Sequence, residues 1–147
     1  MKIYLDNCTF NRPFDNQSGI RIRIETEAKL HIQEQIKAGK LKLIWSYILD
    51  LENEQSPFIE RKISIAKWKN FASTDVEESE NLLKTANILL NSGLKSKDAL
   101  HLASAIEGKS KYFITTDDGI LKKISKFDKI VVVSPTDFIK QLKDYDN

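Results

Sequence analysis

Four β-branched residues in a row, Ile130-Val131-Val132-Val133, constrain this chain more than any other segment. A strand with one wet face alternates apolar and polar side chains. An unbroken β-branched run has no polar side to offer water, so it asks to be covered on both faces, as strands of a buried parallel sheet are. Three other short apolar runs have the same character. Residues 2–5 form one, ended by Asp6; Leu41 to Trp45 form a second, and Tyr112 to Thr115 a third.

Parallel strands need long crossovers, normally helices, and the intervening segments supply them. Ile20, Ile24, Ala28, Ile32 and Ile36 make an i+4 ladder that ends at Gly39, which predicts a helix with that face inward. Ser46 to about Asn53 reads as a second helix. Pro57 interrupts, and Ile59, Ile63 and Ala66 mark a third. Val76, Leu82, Leu83, Ala86, Leu89 and Leu90 mark a fourth, closed by Gly93. Ser96 opens a fifth, with Ala99, Leu102, Ala103 and Ile106 on one face and Gly108 at its end. Ser134-Pro135-Thr136-Asp137 gives a cap, a proline at the first helical position and an acid at the third, so a last helix follows. The stretch from Asn7 to Gly19, rich in Asn, Asp, Pro, Ser and Gly, reads as a loop. The expected architecture is α/β: one domain over residues 1–147, with a small parallel sheet of about four strands covered by helices on both faces.

Composition excludes several classes. With 41% hydrophobic and 30% charged residues, 147 residues suffice for one buried core without staples. A net charge of +2 is too small to mark a nucleic-acid binder by itself. The single cysteine, Cys8, forms no internal disulfide and reads as a small buried residue after the first strand. The first acid comes at Asp6, too early for a signal peptide, and no apolar run reaches the ~18 residues that span a bilayer. A cytoplasmic protein without membrane attachment is expected.

In open parallel sheets, ligands bind beyond the carboxyl ends of the strands. Asp6 ends the first strand, Asp117 follows the third, and Glu52 lies on the helix after the second. Asp98 lies in the first turn of the helix that begins at Ser96, with Leu102 as its i+4 neighbour, hence beside the buried stripe. Each has an ordinary alternative: strand-end turn for Asp6, solvated helix surface for Glu52, helix-dipole complement for Asp98, cap for Asp117. Asp50, Glu54 and Asp118 are nearby rivals. Carboxylates gathered in one place raise one another's pKa values unless a cation offsets them. An all-oxygen donor set suits Mg²⁺ or Mn²⁺. His31, His101 and Cys8 are too scattered for a zinc site. Ions held by such acids activate water against phosphodiesters, and no serine, cysteine or histidine has the partners covalent catalysis requires.

At this point the sequence resembles a family. The strand Ile3-Tyr4-Leu5-Asp6, the stretch Ser46-Tyr47-Ile48-Leu49-Asp50-Leu51-Glu52, the helix start Asp98-Ala99-Leu100-His101-Leu102-Ala103 and the strand Phe113-Ile114-Thr115-Thr116-Asp117 are similar, in order, to the four signature segments of PIN domains. The resemblance implies a Mg²⁺- or Mn²⁺-dependent endoribonuclease acting on single-stranded RNA. Many small bacterial members are toxins of VapC type, dimeric and blocked by an antitoxin protein. By that likeness Asp6, Glu52, Asp98 and Asp117 bind metal, and Thr115 supplies the hydroxyl that accompanies them. Asn7 stands where many members have a small hydroxyl residue, and Ile120 and Leu121 stand where an aromatic is common. Arg12, between Phe10 and Phe14, is expected to contact substrate phosphate, with a solvated arginine as the alternative; Arg21 and Arg23 are further candidates. His101, one turn after Asp98, is expected to be a hydrogen-bonded, partly buried histidine more than a base. Ile22 and Leu30, off the ladder, suggest a homodimer. Other readings of the same acids are a DNA-directed nuclease or a phosphatase on a similar fold, and a catalytically silent binding module.

Overall fold

The computed structural model describes residues 1–146. Six strands form one sheet: β1 (Lys2–Leu5), β2 (Lys42–Ser46), β3 (Ala72–Val76), β4 (Tyr112–Ile114), β5 (Lys126–Phe127) and β6 (Ile130–Val133). Their order is β3-β2-β1-β4-β6-β5, parallel throughout except for β5, which pairs antiparallel with β6. Ile3, Tyr4 and Leu5 of β1 are fully buried, as a central strand covered on both faces requires. The helices are α1 (Asn7–Asn11), α2 (Ile20–Lys37), α3 (Tyr47–Glu54), α4 (Ile59–Ala66), α5 (Glu80–Asn91), α6 (Ser96–Glu107), α7 (Asp118–Lys123) and α8 (Pro135–Asp146).

The mostly parallel α/β sheet follows the sequence, but two strands and two short helices do not. β3 reads Ala-Ser-Thr-Asp-Val; as an edge strand it has little to bury, so apolar patterning could not reveal it. Val76, assigned from sequence to the following helix, ends this strand. β5 is only two residues long. α1 replaces part of the expected loop. Asp6 caps it, its Oδ1 accepting from Asn7 N–H (2.8 Å) and its carbonyl accepting from Thr9 N–H and Phe10 N–H (2.9 and 3.2 Å). The turn is then fixed by tertiary contact: Thr9 Oγ1 donates to the Ile114 carbonyl (3.1 Å), and buried Phe10 packs edge-on against Trp45.

α2 is a helix as expected and stops where Gly39 adopts φ +77°. Its inward face is not the whole isoleucine ladder. Ile32 and Ile36 are buried, but Ile20 is 71% exposed and Ile24 and Leu30 are exposed as well. In the first half of α2 the buried residues are Glu25, Thr26 and Lys29. The α6 end approaches the sheet so closely that a Cβ on Gly108 would lie 2.6 Å from Ile44 Cγ2. Because glycine is used there for packing, the left-handed residue that terminates the helix is Lys109, at φ +61°. Among the described residues, no helix is long and apolar enough to cross a membrane.

Candidate active site

Asp6 leaves the carboxyl end of the central strand with its side chain almost fully buried. Thr115, after β4, holds it: the Thr115 hydroxyl donates to Asp6 Oδ2 (2.9 Å) and accepts from Asp117 N–H (3.1 Å). One hydroxyl thus fixes the two strand-end acids relative to each other. Thr115, which the resemblance also offers as a substrate-binding residue, is itself fully buried, with its hydroxyl engaged by Asp6 and the Asp117 N–H. Asp117 also caps α7, accepting from Ile120 N–H (3.2 Å).

Glu52 comes from α3, a helix started by Ser46, whose Oγ accepts from Leu49 N–H (3.2 Å). His101 of α6 meets Glu52 through Nε2 (2.9 Å to Oε2) and lies 3.8 Å from Asp6 Oδ1. The other ring nitrogen, Nδ1, is 2.7 Å from the Tyr4 hydroxyl, which in turn is 2.6 Å from Ser46 Oγ. With a neutral ring, Tyr4 donates to Nδ1 and Nε2–H donates to Glu52, so each group in the chain is satisfied. Burial works against a proton on His101, but the Glu52 hydrogen bond and the charges of Asp6, Glu52 and Asp98 outweigh it and raise its pKa. Burial likewise pushes Glu52 up, yet His101, the Asn7 side chain and the charge of Lys97 bring its pKa below the usual value.

Asp98, in the first turn of α6, carries the imprint of the whole group. Its carboxyl is pushed up to about 6, first by burial and then by the charges of Asp6, Asp117 and Glu52, with His101 acting in the opposite sense. The charges of Asp6, Asp117 and Glu52 thus all reach Asp98. The rivals lie elsewhere. Glu54 is exposed. Asp50 accepts from Trp45 Nε1 (2.9 Å) and pairs with Lys69. Asp118 forms a two-pronged bond with Arg21, both contacts 2.8 Å.

Arg12 is engaged by Glu25 (3.1 Å) and Asp15 (3.2 Å) with its side chain 17% exposed, so its guanidinium is occupied within the protein. Arg21, 53% exposed beside Asp118, is the more accessible cation. Cys8 lies 3.4 Å from Asp6 Oδ2, and burial followed by the Asp6 charge pushes its thiol up to about 12, which leaves it no nucleophile at neutral pH.

Among the described residues, no group of three or more His, Cys, Asp or Glu side chains stands ready-made to hold a metal ion. The donor chemistry nevertheless fits a hard divalent cation. All four groups are carboxylates, and at Asp98 the charges of the other three add to burial in pushing the carboxyl up. Tyr4, Ser46 and Asn7 were missed from sequence as parts of the site. Period 2 along β1 puts Tyr4 on the same face as Asp6, which is the one signal that could have found it.

No family model matches the chain, and no curated protein does. Solved structures do. A VapBC2 structure from Rickettsia felis, bound to a DNA fragment from their promoter, matches at 14% identity and TM-score 0.54, covering 90% of this chain and 97% of that one. VapBC-1 from nontypeable Haemophilus influenzae matches at 16% identity and TM-score 0.58, covering 92% and 99%. At these identities the likeness establishes architecture alone: the chain shares the α/β fold of the matched chains.

Proposed function

We propose that the chain is a Mg²⁺- or Mn²⁺-dependent endoribonuclease, the toxin of a VapBC-type pair, working in the cytoplasm as a homodimer restrained by an antitoxin protein. The observation that carries the reading is geometric: at the carboxyl end of the sheet Thr115 joins Asp6 to Asp117, and His101 joins Glu52 to Asp6, with the charges of these three acids reaching Asp98. These four would hold the cation, which when bound supplies an activated water and neutralises charge on the phosphodiester. The protein's own part is positional. Thr115 ties Asp6 to the Asp117 backbone, and His101 fixes one oxygen of Glu52. Arg21 offers an exposed guanidinium to RNA phosphate, in exchange for Asp118. The partner reading is supported by the VapBC likenesses, and the dimer by the exposed Ile20, Ile24 and Leu30 on α2.

The test is cleavage of a mixed RNA pool beside a single-stranded DNA pool. RNA should be cut with Mg²⁺ or Mn²⁺, silenced by excess EDTA and restored on adding metal back. Asp6→Asn should abolish cleavage and leave the thermal melt unchanged or higher, since it relieves repulsion while keeping shape. Equal cleavage in EDTA, or full activity of Asp6→Asn, overturns the mechanism. Preferential cutting of DNA overturns the substrate. Light scattering should give twice the chain mass at micromolar concentration; a monomer removes the homodimer.

A further inference from the structure

On the inner face of α2 the chain buries an amine with no acid beside it. Lys29 is 3% exposed. Its Nζ lies 5.3 Å from the Phe10 ring centroid and 5.8 Å from that of Trp68. With the Gln33 amide assigned in the orientation that satisfies its neighbours, its oxygen accepts from Lys29 Nζ and from Trp68 Nε1, the latter at 2.8 Å. Among the described residues, no carboxylate lies within ion-pair distance of this amine. Glu25, one turn earlier on α2, is held by Arg12 (3.1 Å) and Arg21 (3.4 Å) instead. A second cation, Lys37, stands 5.3 Å from the same Trp68 ring. An ammonium taken out of water without a counter-ion is costly, and ring faces and one amide oxygen return only part of that.

Lys29 also lines a cavity of about 210 Å³, together with Phe14, Leu30, Gln33, Ser64 and Trp68. Pockets for drug-sized ligands run to roughly 300–1,000 Å³, so this one suits a smaller molecule. Its walls mix apolar side chains (Phe14, Leu30, Ile65, Trp68) with polar groups: the amine, one amide, the Ser64 hydroxyl and the indole N–H. A half-open cleft that sets a buried cation beside aromatic and aliphatic side chains is complementary to a small anion carried on an apolar body.

We propose that this cavity binds a small apolar monocarboxylate, whose carboxylate accepts from Lys29 and whose body lies against Trp68, Leu30 and Phe14. The ligand supplies the counter-ion that the fold withholds, and three ammonium protons leave donors to spare after Gln33 takes one. The site does not depend on the four-carboxylate reading, so either can fail without the other.

Benzoate is the probe, with benzamide as its neutral isostere, each titrated into the full chain while the Lys29 side-chain methylene and Trp68 indole signals are followed by NMR. Benzoate should shift both saturably with a Kd of the order of millimolar, about 4 kcal/mol of binding. Benzamide should bind at least tenfold more weakly. Lys29→Met keeps the apolar stem and should lose the benzoate response, while the unchanged remainder of its spectrum shows that it is folded. Benzamide binding as well as benzoate, benzoate binding retained in Lys29→Met, or no saturable shift up to tens of millimolar each overturns the proposal.

Discussion

Replacing Lys29 by methionine should make the folded chain more stable near neutral pH and should remove a pH dependence. Burial pushes the Lys29 amine down from 10.5 to about 7. The sign follows from proton counts. Below pH 7 both folded and unfolded chains hold the proton, and the folded state carries the full penalty of an enclosed ammonium. Between 7 and 10.5 the unfolded chain keeps the proton while the folded chain sheds it, so the penalty shrinks as pH rises. At ~1.36 kcal/mol per pKa unit, the gap corresponds to about 5 kcal/mol below pH 7. Methionine forfeits the ring contacts to Phe10 and Trp68 and the bond to Gln33, together about 2 kcal/mol. The net gain for Lys29→Met is about 2–3 kcal/mol at pH 6. By pH 9 the wild type should recover most of that difference. Urea unfolding followed by tryptophan fluorescence at pH 6, 7.5 and 9 gives the numbers directly. If Lys29→Met is less stable than wild type at pH 6, or if the difference is flat from pH 6 to 9, the amine is solvated in the folded state and the reasoning fails.

Two further substitutions probe the other stressed points of the fold. Asp98 has its folded pKa raised to about 6 from 3.8, so its charge opposes folding above pH 6 and the opposition disappears once both states are protonated below about 4. Asp98→Asn should therefore melt higher than wild type at pH 7.5 in EDTA, with the gap closing as pH falls from 6 to 4; a gap independent of pH contradicts the shared-charge account. Lys109→Gly should raise stability by about 0.5–1 kcal/mol, because an exposed lysine at φ +61° gives way to a residue with no penalty there. Calorimetric melts of the two proteins measure it, and a lower melt for the glycine variant would mean that the Lys109 side chain contributes a contact worth more than the strain.

The parts of the fold legible in the sequence are those whose burial is symmetrical. Ile3 to Leu5, Leu43 to Trp45, Phe113-Ile114 and the Ile130–Val133 run are apolar because both sheet faces are covered, and their order along the chain already implies crossovers. Edges carry no such mark. β3 exposes Ser73 and Asp75 and is a strand only because β2 offers it a ladder. α1 and α7 are each initiated by an acid of the candidate site, Asp6 and Asp117. In a one-dimensional reading, a capping aspartate and a loop aspartate look alike. The same holds within the site. Asp6, Glu52, Asp98 and Asp117 could be nominated because strand ends and a helix start have fixed positions relative to a parallel sheet. The Ser46–Tyr4–His101–Glu52 chain joins residues up to 97 apart in sequence, a separation that no local pattern encodes.

α2 shows why the isoleucine ladder misled and why that matters. Periodicity reports which residues are apolar and how they are spaced, and the inference to an inward face assumes that apolar means covered by the same chain. In the second half of α2 the assumption holds, with Ile32 and Ile36 in the core. In the first half the helix turns Glu25, Thr26 and Lys29 inward, where Arg12 and Arg21 pair with Glu25 and the Arg12 carbonyl accepts from the Thr26 hydroxyl at 3.2 Å. Glu25 is buried against Arg12 with the half-exposed Arg21 beside it, and turning this carboxylate inward without Arg12 would strand a buried charge, so the pair favours this helix orientation. That orientation is what leaves Ile20 and Ile24 facing outward. The apolar ladder is therefore continuous in sequence but divided in use: its C-terminal part builds this chain's core, and its N-terminal part is surface available to a second protein chain.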